Sequence, residues 1–284
     1  MRSLAWSGST AWLLYAALLL PRAAAAAEVP ARPSTGCELS SVDAGRQLQR
    51  AIDVDGVQRA YILDVPESIQ AKKPVPLLFD FHGFGHSAAG VWKVSEFREL
   101  GAHDGFITVY PDGLPVTLLG REDAGWQIFT VDGNRDLAFT RQLLDHLERT
   151  YCIDRARVFA TGFSNGAFFS NLLGCTMAQR FAAVAPVSGG RITVPCTPAR
   201  GVPVLIEHGR QDQRVPVEQA RQARDAWIQM DACHEHASNG CEHHRGCRDG
   251  AEVVYCEGDF NHHWPPEATQ RIWEFFKVHP MPAS

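Results

Sequence analysis

The chain has 284 residues, with 27 Lys and Arg against 32 Asp and Glu and a formal net charge of −5. That balance, with no basic patch interleaved with aromatics, argues against a nucleic-acid partner. No apolar stretch beyond the first residues is long enough to cross a bilayer.

The N-terminus reads as an address rather than as structure. Arg2 supplies a positive start, Ala11–Leu20 an apolar core too short to span a membrane, and Ala23–Ala27 a small-residue cleavage region. Residues 1–27 are therefore expected to be a secretory signal, leaving 28–284 as a single domain with no membrane attachment once the signal is removed. Without Arg2 and Arg22 the remainder carries a charge of about −7. Cys37 does not mark a lipoprotein, because Ser34-Thr-Gly-Cys37 lies far from the apolar core.

Residues 28 to about 50 read as a loose lead-in. Strands are expected at Arg59–Val65, at Pro76–Phe81, which ends in His82-Gly83-Phe84-Gly85, and at Phe106–Tyr110, closed by the turn signal Pro111-Asp112-Gly113. Residues 114–135 read as irregular. Asp136 opens a helix with Phe139, Leu143, Leu144 and Leu147 on one face. Further strands are expected at Val158–Thr161, Phe181–Val187, Val202–Glu207 and Ala251–Tyr255. One helix carries Ala220, Ala223, Trp227 and Met230 on one face. A last helix, opened by Pro266, has Ala268, Ile272, Phe275 and Phe276 inward. Apolar strands alternating with helices predict an α/β fold, a mainly parallel sheet covered on both faces. No repeat, low-complexity linker or internal domain boundary is visible.

All eight cysteines lie after the signal, at 37, 152, 175, 196, 233, 241, 247 and 256. An even count in an exported chain points to disulfides. The expected pairings include Cys175–Cys196 and a cluster among the four from 233 to 256.

The chemistry concentrates in Gly162-Phe163-Ser164-Asn165-Gly166. This G-x-S-x-G follows an apolar run and precedes a helix-like stretch, the setting of a nucleophilic serine on a sharp strand-to-helix turn. Such a turn tolerates only small residues two positions either side, and the helix N-terminus offers free N–H groups to an oxyanion. The serine needs a base, and the base an orienting acid. In an α/β-hydrolase sheet these follow in the order Ser, Asp or Glu, His. Asp212 lies just after the Val202–Glu207 strand, and His262 and His263 follow the Ala251–Tyr255 strand; either histidine fits. The oxyanion hole is expected to combine the N–H of Asn165 with that of Phe84. Trp126 and Trp264 flank these motifs and are candidate substrate contacts, though large aromatics are also core residues.

Taken together, these residues resemble the secreted esterases that include feruloyl esterases, acetylxylan esterases of carbohydrate esterase family 1 and polyhydroxybutyrate-depolymerase-like esterases. The resemblance runs from about Cys37 to Phe276. It is carried by Pro74–Gly85, Gly105–Gly113, Gly125-Trp126, Asp136–Phe139, Gly162–Gly166, His208-Gly209 with Asp212, and His262-His-Trp-Pro265. It implies an α/β-hydrolase fold and a Ser164–His262–Asp212 triad without metal or organic cofactor. In the family the histidine stands two residues before a Trp-Pro, which favours His262 over His263. The glycines usual before it are replaced by Asp259-Phe260-Asn261, and Ala167 stands where a further glycine is common. The implied substrate is a small-molecule or polysaccharide ester: a feruloyl ester of plant cell wall first, with short 3-hydroxyalkanoate esters or acetylated xylan as alternatives. The sequence leaves the oligomeric state open.

A reading of another class rests on Cys233–Cys247, which packs three cysteines and four histidines into one segment and would suit a zinc-binding protein. A third is a hydrolase fold used only for binding.

Overall fold

The computed structural model describes residues 29–283; the proposed signal lies outside them. In chain order the strands are β1 (Gly45–Val54), β2 (Val57–Val65), β3 (Val75–Phe81), β4 (Ile107–Pro111), β5 (Leu114–Leu118), β6 (Arg121–Gly125), β7 (Ile153–Phe163), β8 (Ala183–Val187), β9 (Val204–Gly209), β10 (Glu235–Asn239), β11 (Cys241–Arg245) and β12 (Val253–Gly258). The helices are α1 (Ala88–Val94), α2 (Phe97–Asp104), α3 (Arg135–Thr150), α4 (Asn165–Thr176), α5 (Val217–Met230) and α6 (Ala268–Lys277).

Ten strands form one sheet in the order β1-β2-β4-β3-β7-β8-β9-β12-β11-β10. The six central strands, β4 to β12, pair in parallel, and antiparallel hairpins close both edges. Side chains alternate faces along a strand, so each parallel strand feeds two cores. Leu77, Phe79 and Phe81 of β3 join Val158 and Ala160 of β7 on the face covered by α3, α4 and α5. Leu78, Phe159, Ala183 and Leu205 point the other way, against Trp264, Ile272, Trp273 and Phe276. Because both faces are buried, the strands read as continuous apolar runs. The protein has the expected α/β-hydrolase architecture.

The parts missed in sequence lie at the periphery. The presumed lead-in holds β1, paired along its length with β2. The stretch expected to be irregular holds the β5–β6 hairpin. The Cys-rich segment forms β10 and β11. These strands are polar and solvated, so they lack the apolar signal of the central ones. Helix α3 is capped by Asn134, whose Oδ1 accepts from the Asp136 and Leu137 N–H groups at 2.9 and 3.0 Å. Asp136 does not open the helix as expected. It is a fully buried anchor, 2.7 Å from Arg59, and its other oxygen accepts from the Gln127 N–H at 2.9 Å.

Four disulfides join Cys37–Cys152, Cys175–Cys196, Cys233–Cys247 and Cys241–Cys256. The Cys175–Cys196 pairing and the clustering of the last four agree with the sequence reading. With every cysteine bridged, the 233–247 segment offers no thiolate for a zinc site.

Candidate active site

Strand β7 ends at Phe163 and α4 begins at Asn165, which leaves Ser164 alone on the turn at φ 53°, ψ −116°. A residue with a side chain is strained there, and the surroundings hold it in place. The Ser164 N–H donates to the Val187 carbonyl at 3.0 Å, and its carbonyl accepts from Ala167 and Phe168 at 2.9 and 3.1 Å. The flanking glycines are required by close approach. A Cβ on Gly162 would lie 2.6 Å from the Gly166 carbonyl oxygen, and one on Gly166 would collide with the Phe81 carbonyl.

Two loops at the carboxyl ends of neighbouring parallel strands meet this turn. The loop after β9 carries Asp212 and the loop after β12 carries His262. His262 Nε2 lies 2.9 Å from Ser164 Oγ, and its Nδ1 lies 2.7 Å from Asp212 Oδ2. The second oxygen of Asp212 accepts from the Arg214 and Val215 N–H groups at 2.8 and 2.9 Å. An acid held by two backbone donors presents its remaining oxygen to the imidazole in one orientation. Behind it, buried His208 donates from Nε2 to the Val215 carbonyl at 2.9 Å. Burial keeps the pKa of that ring below its ordinary value, so it stays neutral.

Of the two histidines the sequence left open, His262 stands at Ser164. His263 is exposed; its carbonyl accepts from Ser188 Oγ at 3.2 Å. The residues that replace the family's glycines tie the two loops together. Asn261 Oδ1 accepts from the His262 N–H at 2.7 Å and the Gln213 N–H at 3.3 Å, and Arg210 joins Asp259 at 2.8 Å.

On the other side of Ser164, the N–H groups of Phe84 and Asn165 have no acceptor among the described residues. The loop is close: a Cβ on Gly83 would lie 3.3 Å from the Cβ of Ser164. His82 sets its orientation, a role the sequence reading did not assign. Fully buried His82 accepts at Nε2 from the Gly113 N–H at 2.9 Å, so Nδ1 carries the proton and donates to the Gly83 carbonyl at 2.7 Å. The Gly83 carbonyl and the Phe84 N–H share one peptide plane and point in opposite directions. Holding the first therefore aims the second. Burial lowers the His82 pKa and keeps the ring in this neutral form.

Of the two tryptophans named as candidate substrate contacts, Trp264 borders the cleft over Ser164 and Trp126 does not. Trp126 is 1% exposed, stacked on Phe169 and edge-on to Phe81, and its indole N–H donates to the His82 carbonyl at 2.8 Å. It supports the Gly83–Phe84 loop from beneath. Trp264 borders the cleft but is largely packed against Phe97, with its N–H on Thr269 Oγ1 at 3.0 Å. The cleft over Ser164 has a volume of about 990 Å³. Its apolar walls come from Phe84, Leu118, Ile128, Phe129, Phe163 and Phe168. Phe129 sits in a segment the sequence reading left as irregular; no periodic signal marked it.

Residues 64–255 match the model of the phospholipase/carboxylesterase family. The chain belongs to that family. It is a carboxylic-ester hydrolase. It is 28% identical to feruloyl esterase D of Neurospora crassa, over 94% of this chain and 96% of that one. It is also 28% identical to feruloyl esterase B of Piromyces equi over 79% of its length, but spans only 46% of that longer protein. Among solved structures, acetyl xylan esterase from Aspergillus awamori superimposes with a TM-score of 0.64, over 81% of this chain and 99% of that one, at 17% identity. At that identity the likeness concerns the fold.

Proposed function

We propose that the protein is an exported serine esterase that releases ferulate from esters of plant cell-wall polysaccharide. Ser164 is the nucleophile, His262 the general base and acid, and Asp212 the orienting acid. The single observation that carries the catalytic assignment is the unbroken chain from Ser164 Oγ through both nitrogens of His262 to Asp212, at 2.9 and 2.7 Å.

In the first step His262 Nε2 takes the Ser164 proton as Oγ attacks the ester carbonyl. The oxyanion rests on the Phe84 and Asn165 N–H groups, which have no other acceptor among the described residues. His262 returns its proton to the leaving alcohol, and the acyl group stays on Ser164. Water, activated by the same nitrogen, then releases the acid. Asp212 stabilises the imidazolium formed in each half.

The support for an aromatic acyl group is the phenylalanine-rich wall of the cleft and the feruloyl esterase named among the relatives over nearly the full chain. Export is supported by the leader-like residues 1–27 and by four disulfides, which persist in oxidising compartments.

The test is a panel of methyl ferulate, acetylated xylan and 3-hydroxybutyrate oligomers, with kcat/KM measured for each. The proposal expects methyl ferulate to be the best substrate. Turnover of either other ester with none of methyl ferulate would refute the feruloyl reading and leave the esterase assignment standing.

A further inference from the structure

The chain is acidic, yet among the described residues no Asp or Glu borders the cleft above Ser164; its charged residues are Arg121, Arg191 and Arg214. Arg121 is engaged, 3.5 Å from Asp123 and over the Phe84 ring. Arg191 and Arg214 are not. Neither guanidinium has a carboxylate, carbonyl or ring partner among the described residues.

Their backbones, by contrast, are held. Arg191 follows Gly190, whose carbonyl accepts from Asn171 Nδ2 at 3.0 Å and whose Cα is hemmed by Phe168 and Gln219. Two residues on, Thr193 donates to the Ile128 carbonyl, and the segment is bridged through Cys196 to Cys175 on α4. Arg214 donates its N–H to Asp212 Oδ1 at 2.8 Å. Two exposed arginines thus border the cleft from fixed backbone, with no carboxylate among its described lining residues. An uncompensated pair beside a low-dielectric wall attracts an anion and raises its local concentration.

The placement says which part of the substrate meets them. The leaving oxygen takes its proton from His262, so the alcohol departs on the His262 side. Arg214 lies on the loop whose Asp212 holds that ring. The apolar residues Leu118, Ile128 and Phe129 belong to the segment after β4 and suit the acyl group. We infer that the enzyme selects esters whose alcohol part carries a carboxylate, as a hydroxy acid or a uronic-acid sugar does, with Arg214 as the specificity-determining residue on the His262 side and Arg191 adding to the positive potential of the cleft. This rests on the reading of Ser164 and His262 as the ester-cleaving pair.

The experiment compares two near-isosteric esters that differ in charge, carboxymethyl ferulate and carbamoylmethyl ferulate, together with the corresponding pair of acetates. The quantity read is the ratio of kcat/KM for the anionic ester to that for the neutral one. In the wild type the ratio should exceed one, through a lower KM, and should decline as salt is raised. In R191Q/R214Q it should fall roughly tenfold, the size expected of two solvent-accessible charge pairs. If the acetates show this ratio and neither ferulate is cleaved, the feruloyl reading fails and the charge selection stands. A wild-type ratio at or below one, or one that R191Q/R214Q leaves unchanged, would overturn the inference whatever the acyl group.

Discussion

The side chain of Asn165 grips the backbone of Trp126 at both ends: its Oδ1 accepts from the Trp126 N–H at 2.7 Å and its Nδ2 donates to the Trp126 carbonyl at 3.2 Å. Asn165 therefore does two things. Its main-chain N–H faces the site, and its amide locks the segment after β6 to the start of α4. Trp126 in turn supports the His82 carbonyl, so one clamp couples both halves of the proposed oxyanion site.

Asn165→Ala keeps the backbone N–H but leaves the buried Trp126 N–H without an acceptor. We expect a stability loss of about 2–3 kcal/mol from two missing hydrogen bonds and one orphaned donor. Catalysis should suffer in kcat more than in KM, because the oxyanion is bound only in the transition state. Urea unfolding with steady-state kinetics on methyl ferulate checks both. A fall in KM-related binding alone would speak against the coupling.

The strain at Ser164 predicts an inversion of the usual order of small residues. Ser164→Ala and Ser164→Gly both remove the hydroxyl, but only glycine adopts φ 53°, ψ −116° without cost. Ser164→Gly should be the more stable by roughly 1 kcal/mol, although glycine ordinarily loses to alanine through chain entropy. Thermal unfolding of the two inactive variants measures the difference.

How much of this was legible beforehand follows from where the signal lies. The central strands announced themselves because burial on both faces makes them uniformly apolar, as in Leu77–Phe81. The turn at Ser164 was legible because steric crowding restricts Gly162 and Gly166 to one residue type. His82 was visible as part of a motif, but its work is done through ring nitrogens bonded to backbone groups at Gly83 and Gly113, which leave no mark in sequence. Trp126 was misread because a buried indole and a substrate-stacking one are the same letter. The edge strands β1, β5, β6, β10 and β11 were missed because they are largely solvated and lack a long apolar run.

A buried acid on β3 gives a pH prediction. Asp80 is fully buried, neither oxygen has a hydrogen-bond partner within 3.5 Å among the described residues, and burial pushes its pKa up to about 7 from an ordinary 3.8. Between those values the unfolded chain has released the proton and the folded chain still holds it. Stability therefore falls as pH rises through that window. Glu207, pushed up to about 7 mainly by burial, adds a slope of the same sign. Asp80→Asn removes the Asp80 contribution and keeps the shape. Relative to wild type it should gain on the order of 2–4 kcal/mol more at pH 8 than at pH 4. Parallel pH–stability curves from urea titrations would refute this.

The disulfides should contribute unequally. Cys37–Cys152 closes a separation of 115 residues and Cys233–Cys247 one of 14. On loop-closure entropy, removing the first pair by alanine substitution costs about 4–5 kcal/mol and removing the second about 3. The first also frees the segment that pairs its Ser34 N–H with Ile153 at the start of β7. Differential unfolding of the two double variants ranks them.

The central claim is that Ser164, driven by His262 and Asp212, attacks the ester carbonyl. The most direct measurement is to treat the folded protein with diethyl p-nitrophenyl phosphate and map the modified residue by peptide mass spectrometry while following ester hydrolysis. The account predicts one phosphoryl group, on Ser164, appearing in step with loss of activity. It also predicts no label on Ser164→Ala, whose hydrolysis should be lower by roughly 10⁴-fold or more. Label on another residue, or undiminished hydrolysis by Ser164→Ala, would contradict it.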